Sequence, residues 1–250
     1  MTHRGRVAVV TGGTRGIGAA VAGALLSQGW RVISIARHVP DSPVTTNSTG
    51  LADKNRDCSY IASDLATEEG VTEATAKVFA LTSRLDLLVN NAGAINVEER
   101  FNELSYGDFE RSFRLNLMAG FFLARGLRVP LSNGEYPSVV NIGSVYGRIP
   151  DTDVVPYCLS KAAVPLLTQM MARTFGPEIR ANCILPGHID TEMTCAAPVE
   201  FLDAIRKATI LKRIGRTAEI AEIVSFLASS GAAFLTGTAI VADGGYMAGR

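Results

Sequence analysis

The sequence predicts an α/β protein: one domain, residues 1–250, on a doubly wound sheet of about seven parallel strands with helices on both faces. Three observations predict it. Short, nearly continuous β-branched runs alternate with longer helical patterns, as strands buried on both faces do. A glycine-rich turn, Thr11–Gly18, joins the first run to the first helix pattern. The 250 residues, 47% hydrophobic and 19% charged, suffice for one large core.

The elements follow in order. Val7–Thr11 reads as the first strand and Gly16–Gln28 as the first helix. Arg31–Ile35, Cys58–Ala62 and Leu85–Val89 are the next three strands. His38–Asp57 is rich in Pro, Thr, Asn and Ser and predicts mostly loop. Glu68–Ser83 predicts a helix with Thr67 as its cap. Tyr106–Arg128 predicts another, opened by a capping box between Ser105 and Asp108. Leu131–Pro137 ends a helix and contains an Asn-Gly turn. Ser138–Ile142, Arg180–Leu185 and Thr238–Ala242 complete the strands. Tyr157–Phe175, Val199–Ala208 and Ala218–Ala228 are the remaining helices. Pro165 removes an N–H from the first of these, which bends the helix or leaves the Lys161 carbonyl to another partner.

Charge excludes several function classes. Lys plus Arg is 24 and Asp plus Glu is 24, so no field favours nucleic acid or a membrane surface. Near-zero net charge favours self-association. Cys58, Cys158, Cys183 and Cys195 lack metal-ligand spacing and read as reduced, buried thiols of a cytoplasmic protein. No apolar run has the length of a membrane span, and the N-terminus lacks a signal-peptide pattern.

The turn Thr11–Gly18 points to a dinucleotide. Gly12 allows a tight turn, Gly16 a close approach of backbone to pyrophosphate, and Gly18 close packing of helix on strand. Thr14, Arg15 and Ile17 lie in the same turn, where the helix N-terminus offers free N–H groups to phosphate. The second strand ends in Ala36 and Arg37, without the carboxylate that takes the ribose hydroxyl of NAD. Arg15 and Arg37 suit a 2′-phosphate instead, so the expected cofactor is NADPH/NADP+. Tyr157 and Lys161 stand four residues apart on one helix face. An ammonium beside a phenol lowers its pKa and prepares it for proton exchange.

Thr11–Gly18, Asn90–Gly93, Asn116, Ser144, Tyr157–Lys161 and Pro186–Met193 occur in an order and spacing that resembles the short-chain dehydrogenases/reductases. The resemblance covers the whole chain and is nearest to the 3-oxoacyl-carrier-protein reductases. It implies a Rossmann-type domain, a homotetramer, and reduction of a carbonyl or oxidation of an alcohol with a nicotinamide cofactor. It implies that Tyr157 donates the proton, that Ser144 orients the carbonyl oxygen, and that Lys161 also binds the nicotinamide ribose. Asn116 would hold a water linking Lys161 to solvent. Asp64 and Leu65 would meet the adenine, and Asn91, Ala92 and Gly93 the adenosine ribose, while Asn90 braces the sheet. Pro186, Gly187, Ile189 and Thr191 would hold the carboxamide and pyrophosphate.

The segment 188–216 is expected to close over the substrate, with Leu202, Ile205 and Ile210 as an apolar wall. His188 reads as backbone shaping rather than proton transfer; His3 and His38 read as solvated, and Cys158 as packing. Three functions compete. The first is reduction of a 3-oxoacyl thioester, with an acyl carrier protein as partner. The second is a reductase or dehydrogenase for another small molecule, such as a quinone, sugar or hydroxysteroid. The third is a non-catalytic nucleotide-binding regulator, which an intact set of Asn116, Ser144, Tyr157 and Lys161 argues against. For the carrier, Arg128, Arg173 and Arg180 are available, but Val129 and Glu178 stand where positive charge is expected. Any carrier reaction is therefore expected to depend weakly on salt.

Overall fold

A computed structural model describes residues 5–39, 58–95 and 101–249. His3 and positions 40–57 of the expected loop lie outside the described residues; His38 is exposed.

The strands are β1 (Val7–Thr11), β2 (Arg31–Ala36), β3 (Cys58–Ala62), β4 (Leu87–Asn90), β5 (Ser138–Ile142) and β6 (Arg180–Pro186), then the short β7 (Ile189–Asp190), β8 (Gly215–Arg216) and β9 (Ala239–Ala242). Seven form one parallel sheet in the order β3-β2-β1-β4-β5-β6-β9. The order reverses between β1 and β4, so the crevice that takes a ligand in such sheets opens at their carboxyl ends. β7 and β8 pair separately.

The helices are α1 (Gly16–Ser27), α2 (Glu68–Leu81), α3 (Tyr106–Phe113), α4 (Ala119–Gly126), α5 (Arg128–Ser132), α6 (Val155–Phe175), α7 (Glu192–Cys195), α8 (Val199–Ala208) and α9 (Thr217–Leu227). Successive strand residues point to opposite faces, which divides the core in two. Val9, Ile33, Leu88 and Val139 pack with Val78, Leu123 and Phe175 of α2, α4 and α6. Ala8, Val10, Val89 and Val140 pack with Leu25 of α1 and Val224 of α9.

Local signals act as their chemistry requires. Thr67 accepts the Gly70 N–H at 3.0 Å and caps α2. The Ser105 N–H donates to Asp108 Oδ2 at 2.8 Å at the start of α3. The turn after α5 closes with the Gly134 N–H on the Leu131 carbonyl at 2.9 Å. α6 runs through Pro165 as one helix. The expected helix Tyr106–Arg128 is interrupted: Arg114–Met118 is a π-helical turn between α3 and α4. Such a turn carries one residue more than the α-helix and commonly marks a functional site.

Candidate active site

The glycine turn leaves β1 beneath the reversal of the sheet. The Gly12 N–H bonds the Ile35 carbonyl at 2.7 Å, and Gly12 has φ 65°, open to glycine without strain. A Cβ on Gly18 would overlap the Gly12 carbonyl oxygen, so this glycine lets α1 settle against the turn. Gly16 also has positive φ, 53°. Arg15, the N-cap of α1, is extended and makes no side-chain cap, and the first turn of α1 holds no acid. The first amides of a 12-residue helix are thus offered to an anion, which fits the diphosphate of a dinucleotide.

Residues around the turn divide into those that brace and those that face the crevice. The Asn91 amide donates to the Thr11 carbonyl at 2.8 Å, tying β4 to β1. Thr11 Oγ1 accepts the Asn91 and Ala92 N–H groups, each at 2.9 Å. Asn90 donates to Asn141 Oδ1 at 2.8 Å and to the Gly120 carbonyl at 3.2 Å, the bracing expected of it. Asp64 lies exposed beyond β3 and accepts the Ala66 N–H at 3.0 Å, while Leu65 is in the core. Arg37 is exposed just past β2. Arg15 pairs with Glu192 of α7 at 3.4 Å, both largely exposed. Thr14 and Ile17 flank the turn at the start of α1.

The second half of the site lies at the carboxyl end of β5. Ser144 is buried and its oxygen accepts the Tyr146 N–H at 3.1 Å, which leaves its hydroxyl proton to be donated. Lys161, 4% exposed, donates from Nζ to the Ile142 carbonyl at 2.9 Å. Nζ stands 5.8 Å from the Tyr157 ring centroid. Burial lowers Lys161 to about 8. Burial also raises Tyr157, offset in part by hydrogen bonding with Ser144. Burial thus sets the direction at Tyr157, above its ordinary value, where an ammonium alone would lower it. Both groups lose more solvation than their separation lets them recover.

Asn116 sits in the π-helical turn, buried. Its Oδ1 accepts the Ala94 N–H at 2.9 Å and its Nδ2 lies 3.0 Å from the Ala94 carbonyl. Nδ2 is also 3.1 Å from the hydroxyls of Ser112 and Ser160. Asn116 thus fastens the loop after β4 to α6, whose Ser160 bonds the Tyr157 carbonyl at 2.8 Å. Gly93 lies between these groups: a Cβ there would stand 3.0 Å from Asn116 Oδ1 and 3.4 Å from Lys161 Nζ. Gly93 thus stands beside both Asn116 and Lys161. Ser112, four residues before Asn116, and Ser160 were legible as spacings but were not read as partners.

Pro186 ends β6, and the Gly187 N–H bonds the Ala242 carbonyl at 3.0 Å. Ile189 is buried, and Thr191 caps α7 by accepting the Thr194 N–H. His188 does more than shape the backbone. Its Nε2 is 3.2 Å from the Tyr146 hydroxyl, and its ring packs edgewise on Tyr246, Tyr146 and Phe201. This aromatic cluster was not expected.

Ile205 is buried against Val145 and Tyr246, and Ile210 lines a cavity of about 430 Å³ together with His188 and Ile189. Two other expectations change. Arg180 is half-buried and its guanidinium is committed, bonding the carbonyls of Leu227 and Ala232 at 2.9 and 3.0 Å. All four cysteines are free thiols, but Cys195 is exposed and Cys58 partly so. No described helix is long and apolar enough to cross a membrane.

A family model described as enoyl-(acyl carrier protein) reductase matches residues 12–247. The chain is 31% identical to the 3-oxoacyl-acyl-carrier-protein reductase FabG of Aquifex aeolicus, over 97% of each. It is 33% identical to a 7alpha-hydroxysteroid dehydrogenase of Clostridium sardiniense, over 98% of this chain and 94% of the relative. Among solved structures, the Pseudomonas aeruginosa RhlG/NADP active-site complex matches with a TM-score of 0.88 and 33% identity, covering 98% of this chain and 97% of that one. The ordered glycine turn, the buried serine and lysine and the half-buried tyrosine, together with these full-length matches, make the chain a member of the short-chain dehydrogenase/reductase family of oxidoreductases.

Proposed function

We propose that the protein reduces a ketone to a secondary alcohol with NADPH, and that its substrate is a 3-oxoacyl thioester. The observation that carries this reading is the convergence of Ser144, Tyr157 and Lys161 at the end of β5. A phenol raised by burial stays protonated at neutral pH, and a protonated donor is what carbonyl reduction needs. Ser144 holds the carbonyl oxygen with its free proton, and Tyr157 delivers its own proton to that oxygen. Lys161 supplies positive charge beneath the phenolate that results. Asn116 keeps the Ala94 loop and α6 in register.

For the cofactor, Gly12, Thr14, Arg15, Gly16, Ile17 and Gly18 would surround the diphosphate. Arg15 and Arg37 would meet the 2′-phosphate, Asp64 and Leu65 the adenine, and Asn91 and Ala92 the adjoining ribose. Gly93 and Lys161 would meet the nicotinamide ribose, with Pro186, Gly187, Ile189 and Thr191 around the carboxamide. The bound nicotinamide supplies a hydride.

Apolar exposure supports the homotetramer: Leu159, Leu166 and Met170 of α6 and Phe121 of α4 are exposed. Four free thiols suit the reducing cytoplasm. An acyl carrier protein would find Arg128 and Arg173 at the surface but Arg180 half-buried and committed. That favours small ketones as the second reading. The test is oxidation of NADPH and of NADH against a panel of ketones that includes a 3-oxoacyl thioester. Turnover with NADPH, reduced about 100-fold or more in Tyr157→Phe, is expected. Binding of NADPH without turnover of any ketone would make the protein a non-catalytic regulator.

A further inference from the structure

We propose that Tyr146 and His188 form a hydrogen-bonded pair that reads a second carbonyl oxygen of the substrate, β to the ketone being reduced, as in a 3-oxo ester or thioester. The inference rests on the ketone-reductase reading of the site and adds a residue pair that sets its preference.

Tyr146 lies two residues after Ser144, and its N–H is fixed on Ser144 Oγ. Its ring meets that of Tyr157 edgewise, with centroids 6.3 Å apart. The Tyr146 ring therefore lies beside the ring of the proton donor. The only hydrogen-bond partner of its hydroxyl among the described residues is His188 Nε2 at 3.2 Å. The His188 ring is held at a set angle by Tyr246, Tyr146 and Phe201, with centroids 4.9, 5.6 and 5.9 Å away. The bond can run either way, and we assign His188 the tautomer with hydrogen on Nε2, in which it donates to the Tyr146 oxygen. The phenol proton is then left to be given to something else.

Burial, and then the nearby Asp151 carboxylate, raise the Tyr146 pKa and keep that proton in place. Tyr146 thus offers a neutral donor next to the Ser144–Tyr157 pair. A β-dicarbonyl satisfies both sets of donors, one oxygen each. A monoketone leaves the Tyr146 proton without its acceptor, the condition under which sites discriminate well.

The experiment uses the full chain with NADPH and compares ethyl 3-oxobutanoate with 2-hexanone in wild type, Tyr146→Phe, His188→Gln and His188→Leu. Tyr146→Phe should lower the ratio of kcat/KM for the ester over that for the monoketone by about tenfold, with the loss in KM. His188→Leu should lower the same ratio. His188→Gln, which keeps an N–H donor, should restore most of it. Thermal unfolding and NADPH affinity check each variant's fold. Should Tyr146→Phe not fold, the two His188 variants carry the same comparison. An equal loss for both ketones, or no change in the ratio, overturns the inference and leaves the ketone-reductase reading standing. Wild-type protein that reduces neither ketone overturns both.

Discussion

Lys161 donates a 2.9 Å hydrogen bond from Nζ to the carbonyl oxygen of Ile142, the last residue of β5. A buried ammonium is thereby held on one backbone dipole, and burial outweighs that dipole, lowering the group from 10.5 to about 8. Between those values the unfolded chain holds a proton that the folded chain does not. The Lys161 contribution to stability must therefore rise with pH across that window. The shift corresponds to about 3 kcal/mol of instability below pH 8, relieved as the ammonium deprotonates. Cys58, Cys158, Cys183 and Cys195, all raised in the fold, work in the opposite direction once unfolded thiols ionise above about pH 8.5, and Tyr157 does so above about pH 10. The expected outcome is a gain of about 2 kcal/mol in the unfolding free energy of wild type relative to Lys161→Met between pH 8 and 9.5, seen in urea titrations. Lys161→Met, which keeps the thiols, should fall over the same range. Parallel curves for the two proteins would show that the ammonium is not strained by burial.

The proposed preference for NADPH rests on two guanidiniums in different situations. Arg37 is exposed past β2, whereas Arg15 is already paired with Glu192 across the crevice. An exposed ion pair contributes less than about 1 kcal/mol, so a phosphate can take Arg15 from Glu192. Arg15→Ala with Arg37→Ala should weaken NADPH binding about 10- to 100-fold and leave NADH within a few fold. Glu192→Gln should tighten NADPH slightly, by about two- to fivefold. Fluorescence titration with each nucleotide reads both. Equal losses for NADPH and NADH would remove the 2′-phosphate from the account.

What could be read from the sequence was what short-range chemistry encodes. The strands were legible because residues such as Val9 and Val10 face opposite cores and are both buried. Thr67 and Ser105 were legible because a cap acts within three residues. The π-helical turn was not, since apolar periodicity across Tyr106–Arg128 does not register one extra residue. Yet that residue is what turns Asn116 inward to Ala94 and Ser160. The Tyr146–His188 contact spans 42 positions, and neither residue type announces it. Arg180 looked like surface charge because its acceptors are backbone carbonyls of Leu227 and Ala232, which sequence does not display.

Asn116 offers the sharpest test of how the two halves of the site are coupled. Its amide satisfies both polar groups of Ala94, one as acceptor and one as donor. Asn116→Asp keeps the acceptor for the Ala94 N–H and sets a carboxylate oxygen against the Ala94 carbonyl. That should destabilise the fold by about 1–3 kcal/mol at pH 7. The new charge also lies across Gly93 from Lys161, where a single Cβ would reach both side chains. A carboxylate there favours the ammonium and raises the Lys161 pKa from about 8. The upward contribution of Lys161 from pH 8 to 9.5 should therefore shrink in Asn116→Asp, while Asn116→Ala, with no charge, retains it, so Asn116→Asp should lose stability relative to Asn116→Ala over that range. Identical pH profiles for the two variants would mean that Asn116 and Lys161 are screened from one another, and that the π-helical turn braces the loop without reaching the ammonium.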